Sequence, residues 1–398
     1  MLITVSEGQK TPLHNNYLHV IDLDKTVPEI PLSEVFESIT PIVLETKRSS
    51  LIRMGISRVV VTPEYLIVRD ISSLFLFKRD GSFVYKFDGV SDVSDFCYDN
   101  TKGTIYALTR QMLAAQQIKW EVNLYNIHTG KLLKTIQLKV NDSFDPKIYC
   151  SNGELYAGSH NITTDKQYGQ YTLNKINQKT GDVGEVWFDF EIDCFHTPPF
   201  NFSDEKSFRS IPRFVDGIVS IEKGTGKITP LLSFTPKYTL DSEDVKDIST
   251  LRSLGYGVSV RDIDWDKIKK TNKVYGIGSY FECKDLIFMG GVGVSWGETY
   301  KQILYNKKTN DFKYVSRFND LFLKRERSPE DPRYSNNSRY AAYDENGVFE
   351  VHTLQSAYAL KQLLEKDLIS DSFRSTAIEL SNLEESANPV LFYYKFKK

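Results

Sequence analysis

One hairpin turn recurs five times along the chain, and this repeat constrains the fold more than any other feature. Its last residue is Gly in four copies and Asn in one, the two residue types that tolerate positive φ in tight hairpins. An apolar residue stands five positions before that last residue in every copy, and another stands two positions after it. The copies are residues 79–81, 128–130, 179–181, 224–226 and 308–310.

The spacing of these turns predicts a β-propeller. The first four copies lie 49, 51 and 45 residues apart, close to the ~40–50-residue period of four-stranded propeller blades. The last interval is 84 residues and predicts an insertion. Residues 241–255 and 262–270 carry patterns typical of short helices and fit that insertion.

Each repeat unit reads as a four-stranded antiparallel meander. Residues 59–87 form one complete unit, in which short β-branched and aromatic runs alternate with turn residues. The first half of the unit, a strand, a turn and a second strand, returns at residues 96–107, 148–157, 281–288 and 340–350.

Five complete units and a partial sixth at residues 340–353 leave one blade unfinished. The unassigned strands at residues 19–23 and 41–45 are its natural partners. We therefore predict an all-β fold, a six-bladed β-propeller of four-stranded antiparallel blades closed by its N-terminal strands, with small helical insertions. The predicted limits are one domain over residues 1–398, closing strands at about 17–46, blades at about 53–353, and a helical segment with a final strand at 355–398.

The charge balance argues against a general affinity for nucleic acid. The formal net charge is −2, whereas nucleic-acid binding requires a basic excess or a basic stripe. The densest basic run, Lys324-Arg325-Glu326-Arg327, is followed at once by Glu330 and indicates a solvated loop.

The N-terminus leaves the cellular compartment open. No apolar stretch approaches the roughly 20 residues that a transmembrane helix needs. The first residues lack the basic start and the apolar core of a signal peptide. Either the protein is cytoplasmic with Met1 as its natural start, or a leader has been removed.

A nucleophile-elbow motif, G-x-S-x-G, stands at residues 293–297 with Ser295 at its centre. The motif works where a strand turns sharply into a helix and exposes the serine. Residues 298–305 lead instead into a strand and the fifth hairpin turn. We interpret the motif as a glycine-rich loop and assign no catalytic residue.

Histidine spacing indicates no local metal site, because no H-x-x-x-H pattern occurs, although a propeller could gather distant ligands at its axis. We predict no metal and no cofactor. The six histidines are His14, His19, His128, His160, His196 and His352.

The cysteines are not predicted to pair. Cys97, Cys150 and Cys283 end the first strands of three different units, which places them too far apart for a disulfide. They are predicted to be reduced and packed as small apolar residues. Cys194 lies in the irregular fourth unit and has no predicted role.

Two further patterns are interpreted as structural or fortuitous. The acidic runs at residues 241–244 and 262–266 lack the glycine and terminal glutamate of an EF-hand loop and indicate helix caps or solvated faces. The Asn-x-Ser/Thr tripeptides are interpreted as chance matches. They begin at Asn141, Asn161, Asn201 and Asn336.

Several stretches together carry a family resemblance, namely residues 31–36, 42–46, 77–81, 305–309 and 383–391. Through them the chain resembles the six-bladed, NHL-like β-propeller proteins of Bacteroidetes envelopes, often described only as a domain of unknown function. That family is typically exported, commonly as lipoproteins. The resemblance implies a processed envelope protein with a lipid anchor on the full-length chain, and it supplies no catalytic residues.

The sequence favours a non-catalytic binding or scaffold protein of the bacterial cell envelope, with a glycan, peptide or protein as its unidentified ligand. The alternative is a propeller enzyme, a hydrolase or lyase with its site at the axial mouth. Convergent carboxylates or histidines at the mouth would favour catalysis, and exposed aromatic residues would favour glycan or peptide binding. A cytoplasmic interaction platform is a third hypothesis if Met1 is the natural start.

Overall fold

The structure is a computed structural model of the chain. It describes residues 17–53, 55–89, 92–113, 118–140, 147–151, 153–161, 170–190, 200–203, 207–210, 217–222, 227–238, 273–274, 277, 279–283, 285–293, 300–326, 340–352, 355–384 and 386–397.

The described strands form six small sheets, which we number as blades 1 to 6 in chain order. Ahead of them, the N-terminal segment supplies β1 (His19–Ile21), β2 (Glu29–Ile30), the one-turn helix α1 (Leu32–Val35) and β3 (Phe36–Val43). Blade 1 contains β4 (Arg58–Val61), β5 (Tyr65–Arg69), β6 (Leu74–Lys78) and β7 (Phe83–Lys86). Blade 2 contains β8 (Val93–Asp99), β9 (Thr104–Met112), β10 (Ile118–Asn126) and β11 (Leu132–Gln137).

Blade 3 contains β12 (Lys147–Ser151), β13 (Glu154–Asn161), β14 (Gln170–Ile176) and β15 (Val183–Phe190). Blade 4 contains β16 (Phe200–Ser203), β17 (Ser207–Ser210), β18 (Gly217–Glu222) and β19 (Ile228–Phe234). Blade 5 contains β20 (Ser279–Glu282), β21 (Leu286–Gly293), β22 (Tyr300–Asn306) and β23 (Asp311–Val315). Blade 6 contains β24 (Tyr340–Asp344), β25 (Gly347–His352) and β26 (Val390–Phe396), with helices α2 (Gln355–Glu365) and α3 (Arg374–Ser381) between β25 and β26.

Consecutive strands pair antiparallel within each blade, so the predicted six-bladed β-propeller is confirmed. Blade 1 shows the pattern, since Val59 pairs with Val68 and Leu66 pairs with Phe77. The predicted first halves of the units are the strand pairs β8–β9, β12–β13, β20–β21 and β24–β25.

The recurring turn joins the third strand of a blade to the fourth in blades 1, 2, 3 and 5. Its last residue has positive φ in all four, at 90° for Gly81, 66° for Gly130, 75° for Gly181 and 56° for Asn310. This conformation explains why Gly and Asn recur there, because other residue types pay a steric penalty. The fourth copy, residues 224–226, lies outside the described residues.

The turn glycines are also needed for close contact with the preceding blade. A Cβ atom on Gly81 would collide with the carbonyl oxygen of Val43, at the end of β3 in blade 6. A Cβ atom on Gly181 would collide in the same way with the carbonyl oxygen of Gln137, at the end of β11 in blade 2. One repeated residue therefore forms the turn and admits the neighbouring backbone.

Replacing Gly81 by Ala is expected to lower the free energy of unfolding by about 2–4 kcal/mol, because backbone strain adds to a clash that rigid backbone cannot relieve. The matched control is Gly89→Ala, since Gly89 has φ of 70° and, its chain neighbours aside, no heavy atom of the described residues lies within 4 Å of the position that its Cβ would take. That control should lose only about 1 kcal/mol. Urea denaturation measures both, and equal losses would contradict the close-contact explanation.

The prediction that two N-terminal strands complete blade 6 is confirmed for one strand and wrong for the other. The predicted strand at 41–45 corresponds to β3, which pairs antiparallel with β26 from Phe36 and Phe396 to Val43 and Val390. The predicted strand at 19–23 corresponds to β1, which instead pairs parallel with β19 in blade 4. Because the C-terminal β26 already supplies the third strand of blade 6, a single N-terminal strand completes that sheet.

Blades 4 and 5 each gain a fifth strand from the N-terminal segment. β1 lies along β19, with His19 opposite Leu232, and β2 lies along β23, with Glu29 opposite Tyr314. Both additions are parallel, whereas the remaining pairings are antiparallel in the registers described. They cover the outer edges of these two sheets, which would otherwise present unpaired backbone groups.

Contacts divide the chain into two compact units, each with its own apolar core. In unit 1 the core surrounds Trp120 and Tyr106. In unit 2 it surrounds Phe75, Phe77 and Phe349. Unit 1 comprises Met1–Val27, Asp95–Leu124 and Lys134–Phe312, and unit 2 comprises Pro28–Ser94, Tyr125–Leu133 and Lys313–Lys398. That residues 1–398 form a single domain stays a prediction.

The predicted helical segment near the C-terminus contains α2 and α3, and Leu360 and Leu363 of α2 are buried. Leu368 is also buried, but it follows the end of α2 at Glu365. The helices predicted at 241–255 and 262–270 lie outside the described residues. Among the residues that are described, no helix has both the length and the apolar character to cross a membrane.

Candidate functional site

Each blade has two ends, and they carry different kinds of connection. In an antiparallel blade the connections 1–2 and 3–4 lie at one end, which we call the turn end. The connection 2–3 and the connections to neighbouring blades lie at the opposite end, the connection end. In blade 1 the two turns lie side by side, since the amide of Arg79 donates to the carbonyl oxygen of Glu64 at 3.1 Å.

In unit 2 the turn ends bind neighbouring blades together. Arg79 of blade 1 donates from Nη2 to Oδ2 of Asp344 in blade 6 at 2.6 Å. Its guanidinium also lies 4.9 Å from the ring centroid of Phe349. Tyr393 donates its hydroxyl to Oδ1 of Asp344 at 3.2 Å. Burial, and then the Asp344 charge, raise the pKa of Tyr393 to about 12, so this hydroxyl keeps its proton.

Polar side chains at the turn ends of unit 1 also join neighbouring sheets. Lys102 of blade 2 donates to the carbonyl oxygen of Gly153 in blade 3 at 3.2 Å, and Gln178 donates to the same oxygen from within blade 3 at 2.6 Å. At the turn that ends in Asn310, the Oδ1 atom lies 3.2 Å from Nδ1 of His19, a residue of β1. The hydroxyl of Tyr305 lies 3.0 Å from both atoms. Polar side chains at these turns are therefore committed to structural contacts.

A nearly buried charge cluster connects blades 4 and 5 within unit 1. Arg209 on β17 donates from Nε to Oε2 of Glu282 on β20 at 2.8 Å, and the two side chains are only 11% and 10% exposed. Lys307 donates to the other carboxylate oxygen at 3.0 Å. The hydroxyl of Tyr280 donates to Oε2 at 2.9 Å. Arg209 also donates to the hydroxyl of Ser220 at 2.9 Å.

Glu282 stays ionised in this cluster. Burial alone would raise its pKa, but the hydrogen bonds and charges of Arg209 and Lys307 hold the pKa of Glu282 below its ordinary value. Burial, and then the Glu282 charge, raise the pKa of Tyr280 well above its ordinary value. The cluster is therefore a satisfied ionic contact between two sheets, in which Glu282 is ionised and Tyr280 keeps its proton.

A fully buried Asn388 holds the segment between blades 6 and 1. Its Nδ2 donates to the carbonyl oxygens of Glu45 and Ser50, each at 2.9 Å. Its Oδ1 accepts from the amide of Ile52 at 2.8 Å, and its own amide donates to the hydroxyl of Thr46 at 2.8 Å. The connection over residues 44–53 is thus fixed by side-chain hydrogen bonds from the C-terminal part of the chain.

Side chains on the outside of this fixed connection are basic. Arg48 and Arg53 are both exposed. A few residues further on, Arg58 on β4 lies directly opposite Arg69 on β5. Ile71 follows at the tip of the 2–3 connection, with 51% of its surface exposed. We call these five residues the basic connection end of blade 1.

The connection end of blade 6 carries the helical hairpin α2–α3. Phe373 packs against Phe322 and Phe392, with ring centroids 4.8 and 5.7 Å away. On its surface, Lys324 bonds to Asp367 at 3.0 Å. Ile378 of α3 remains 48% exposed. The hairpin is therefore anchored by aromatic packing and presents a mixed polar and apolar outer side.

Few of the residues singled out in the sequence fall on described side chains. Ser295, Cys194 and the acidic runs at 241–244 and 262–266 lie outside the described residues. His19 lies on β1, and His128 lies in the turn of blade 2 that joins β10 to β11. In the part of the chain that the structure describes, no group of three or more His, Cys, Asp or Glu residues could hold a metal ion.

The three described cysteines are free thiols, as predicted. Cys97 is buried, whereas Cys150 and Cys283 are half-buried. Cys97 and Cys150 both belong to the apolar packing around Trp120. Their predicted role as small apolar packing residues fits this environment.

The basic connection end was not predicted, because its arginines do not form a continuous run of charge in the sequence. The signal that could have revealed it is the charge balance of residues 47–69. This stretch holds five basic residues, the four arginines and Lys47, and a single acid, Glu64. The structure places that acid in the 1–2 turn, at the opposite end of blade 1 from the arginines.

Comparison with known proteins supports the fold and gives no activity. A crystal structure described as a "Putative exported protein" from Bacteroides fragilis NCTC 9343 matches with a TM-score of 0.65 at 16% identity, covering 95% of this chain and 100% of that one. The Pan2 WD40 domain of Neurospora crassa matches with a TM-score of 0.40 at 8% identity, covering 98% and 94%. No curated protein matches the chain.

One family model spans almost all of the described fold, from residue 18 to residue 395. Its span includes all of β1 and β26 as far as Lys395, so it takes in the fifth strand of blade 4 and nearly all of the third strand of blade 6. The chain belongs to the family described as "Domain of unknown function (DUF4934)".

Proposed function

We propose that the protein is a non-catalytic binding or scaffold protein of the bacterial cell envelope, which recognises its ligand at the connection ends of its blades. The observation that carries this proposal is that side chains at the turn ends and at the connection ends of the blades have different uses. Turn-end side chains such as Arg79 and Lys102 are used in contacts between blades. The connection ends carry exposed side chains on a fixed backbone, which is the usual arrangement of a binding surface.

The rigidity of the connection ends supports recognition by preformed surfaces. Asn388 fixes the connection that carries Arg48 and Arg53, and Phe373 anchors the hairpin that carries Ile378. A backbone held in this way loses little conformational entropy on binding, which increases affinity for a given contact area.

We further propose that the protein acts outside the cytoplasm, as a lipid-anchored or periplasmic envelope protein. The Bacteroides fragilis neighbour described as exported supports this location. Fractionation of cells that express the full-length gene, followed by mass spectrometry of the protein's N-terminus, tests it. A lipid-modified or trimmed N-terminus in the envelope fraction is expected, whereas an unprocessed protein in the cytoplasm would contradict it.

The binding proposal is tested by a ligand screen followed by hydrogen-exchange mapping. Peptide and glycan libraries are screened first, and the best ligand is then added at saturation. Protection is expected at the connections 44–57, 70–73 and 353–389, with unchanged exchange in the turns 79–82 and 178–181. Protection confined to the turns, or turnover of ester, glycoside or uronide substrates by the protein, would contradict a binding function at the connection ends.

A further inference from the structure

Two of the described cysteines lie on the first strands of neighbouring blades within unit 1. Cys97 belongs to β8 of blade 2, and Cys150 belongs to β12 of blade 3. Neither cysteine is part of a disulfide in the structure. The contacts between β8 and β12 show how the two thiols lie relative to each other.

Two hydrogen bonds align β8 with β12. Near the start of the strands, the amide of Ile148 donates to Oδ2 of Asp95 at 2.9 Å. Just beyond the end of the strands, Nζ of Lys102 donates to the carbonyl oxygen of Gly153 at 3.2 Å. Earlier residues thus contact earlier residues, and later residues contact later ones. The two strands therefore run side by side in the same direction.

The first of these contacts sets the register of the two cysteines. Cys97 follows Asp95 by two positions, and Cys150 follows Ile148 by two positions. Two residues span a similar length in each strand, so the cysteines lie at the same level of the interface. An aspartate side chain is short, and it reaches from one strand to the other next to this level. The strand backbones are therefore separated by roughly the distance that a disulfide spans, which is about 4.4–6.8 Å between Cα atoms.

The side chains of both cysteines point into the space between blades 2 and 3. Alternate residues of a strand share a face, so Cys97 lies on the face from which Asp95 reaches β12. Cys150 shares the face of Ile148 for the same reason. Cys97 and Ile148 belong to the apolar core around Trp120, and the other cysteine packs against that core. The two thiols therefore approach one core from opposite blades.

The hydroxyl of Tyr106 on β9 gives a separate indication that the thiols are close together. Burial raises the pKa of Tyr106 above its ordinary value, and the nearby Cys150, Asp99 and Cys97 raise it further. Electrostatic contributions of this kind come mainly from groups a few ångströms away. Both thiols are therefore near the same hydroxyl group.

We propose that Cys97 and Cys150 form a disulfide that joins blades 2 and 3 when the folded protein meets a disulfide oxidant. Oxidants of this class act on exported proteins, so the bond is compatible with the location outside the cytoplasm proposed above. The inference goes beyond the proposed binding function, and its test does not depend on that function.

The reaction is an ordinary thiol–disulfide exchange that begins at the more accessible thiol. Cys150 is half-buried, whereas Cys97 is only 6% exposed. The Cys150 thiolate attacks one sulfur of the oxidant and displaces the other as a thiolate, which leaves a mixed disulfide. The Cys97 thiolate then attacks the Cys150 sulfur and displaces the second oxidant thiolate. The two cysteine protons pass to the displaced thiolates, so the oxidant gains two electrons and ends as two thiols.

The test is mass spectrometry of the full chain after oxidation in its folded state. The reduced protein is incubated with oxidised glutathione, quenched with acid, alkylated in denaturant and digested with trypsin without reduction. Peptide 87–102 is expected to be cross-linked to peptide 148–166, and the intact chain should be about 2 Da lighter. Cysteines that stay reduced, glutathione on Cys150 without this cross-link, or a cross-link to Cys194 instead would each overturn the proposal.

Thermal unfolding shows whether the bond joins the folded blades. Oxidation is expected to raise the melting temperature by about 5 °C or more, because the bond restricts the unfolded chain. Cys97→Ala and Cys150→Ala should each abolish this rise. The matched control is Cys283→Ala, since Cys283 is also half-buried, and it should keep both the rise and the cross-link. An equal rise in all three variants would overturn the proposal. If an alanine change unfolds the chain, the cross-link in the unchanged protein still decides the outcome.

Discussion

Deleting residues 1–46 is expected to abolish cooperative unfolding, whereas deleting residues 1–27 should lower the melting temperature by only a few degrees. The longer deletion removes β3, and with it the buried side chains of Phe36, Ile42 and Leu44. Each is worth ~1.5–3 kcal/mol, so together they approach the whole stability of a domain, which is ~5–15 kcal/mol. It also removes Glu45 and Thr46, which bond to Asn388.

The shorter deletion is the matched control. It removes β1, and of the described residues 17–27 only Ile21 is buried, whereas Leu18 and Val20 are exposed. Differential scanning calorimetry of both variants, compared with the full chain, measures the effect. A single sharp transition of undiminished enthalpy in the longer deletion would contradict the role of β3 in completing blade 6. One sharp transition in the full chain would support the prediction that residues 1–398 form one domain.

Replacing Arg209 by Met should lower the free energy of unfolding by about 3–5 kcal/mol, because it leaves the nearly buried Glu282 with a reduced set of partners. The control is Lys25→Met, which breaks the ion pair between Lys25 and Asp311 at 3.2 Å. Those side chains are 54% and 64% exposed, so the loss should be below about 1 kcal/mol. Denaturant titration measures both, and similar losses would contradict a special role for the buried cluster.

The same cluster makes stability depend on pH in a defined direction. The pKa of Glu282 is lowered in the folded state, so its contribution is fully present above the unfolded value of 4.5 and is lost as pH falls through the folded pKa. Glu282→Gln should therefore destabilise the protein most at neutral pH. The difference from the unchanged protein should shrink on acidification below pH 4.5. A difference that is constant across this range would show that the carboxylate charge is unimportant.

Local repetition made the blade architecture predictable. A turn such as 79–81 brings together residues close in sequence, and its φ requirement restricts the last residue to Gly or Asn. The apolar residues at fixed offsets then locate the third and fourth strands. The close contact of Gly81 with Val43 has no such local signature, because it depends on a strand from another blade.

Long-range partners explain what could not be predicted. β1 has only three residues, and its parallel pairing with β19 depends on Leu232 and its neighbours, far along the chain. The partners of Glu282 are also scattered, since Arg209 lies 73 positions away. Asn388 bonds to Ile52 across 336 positions. Such contacts follow from the arrangement of whole blades, and no pattern within a short window of sequence indicates them.

The basic connection end of blade 1 could not be predicted from the sequence for a different reason. Arg48, Arg53, Arg58 and Arg69 are too widely spaced to form a basic run. They share one end of blade 1 because an antiparallel strand pair brings the start of β4 beside the end of β5. The single acid, Glu64, falls at the other end for the same reason. Charge becomes segregated only once the strands are paired.

The pairing of β3 with β26 has a consequence for how the protein is made. Residues 36–43 are synthesised long before their partner strand, Val390–Phe396. The sixth sheet therefore stays incomplete until β26 has been synthesised, and its exposed strand edges are open to mispairing in the meantime. Because such a distant contact forms slowly, a chaperone that holds the nascent chain open would increase the yield of correctly folded protein.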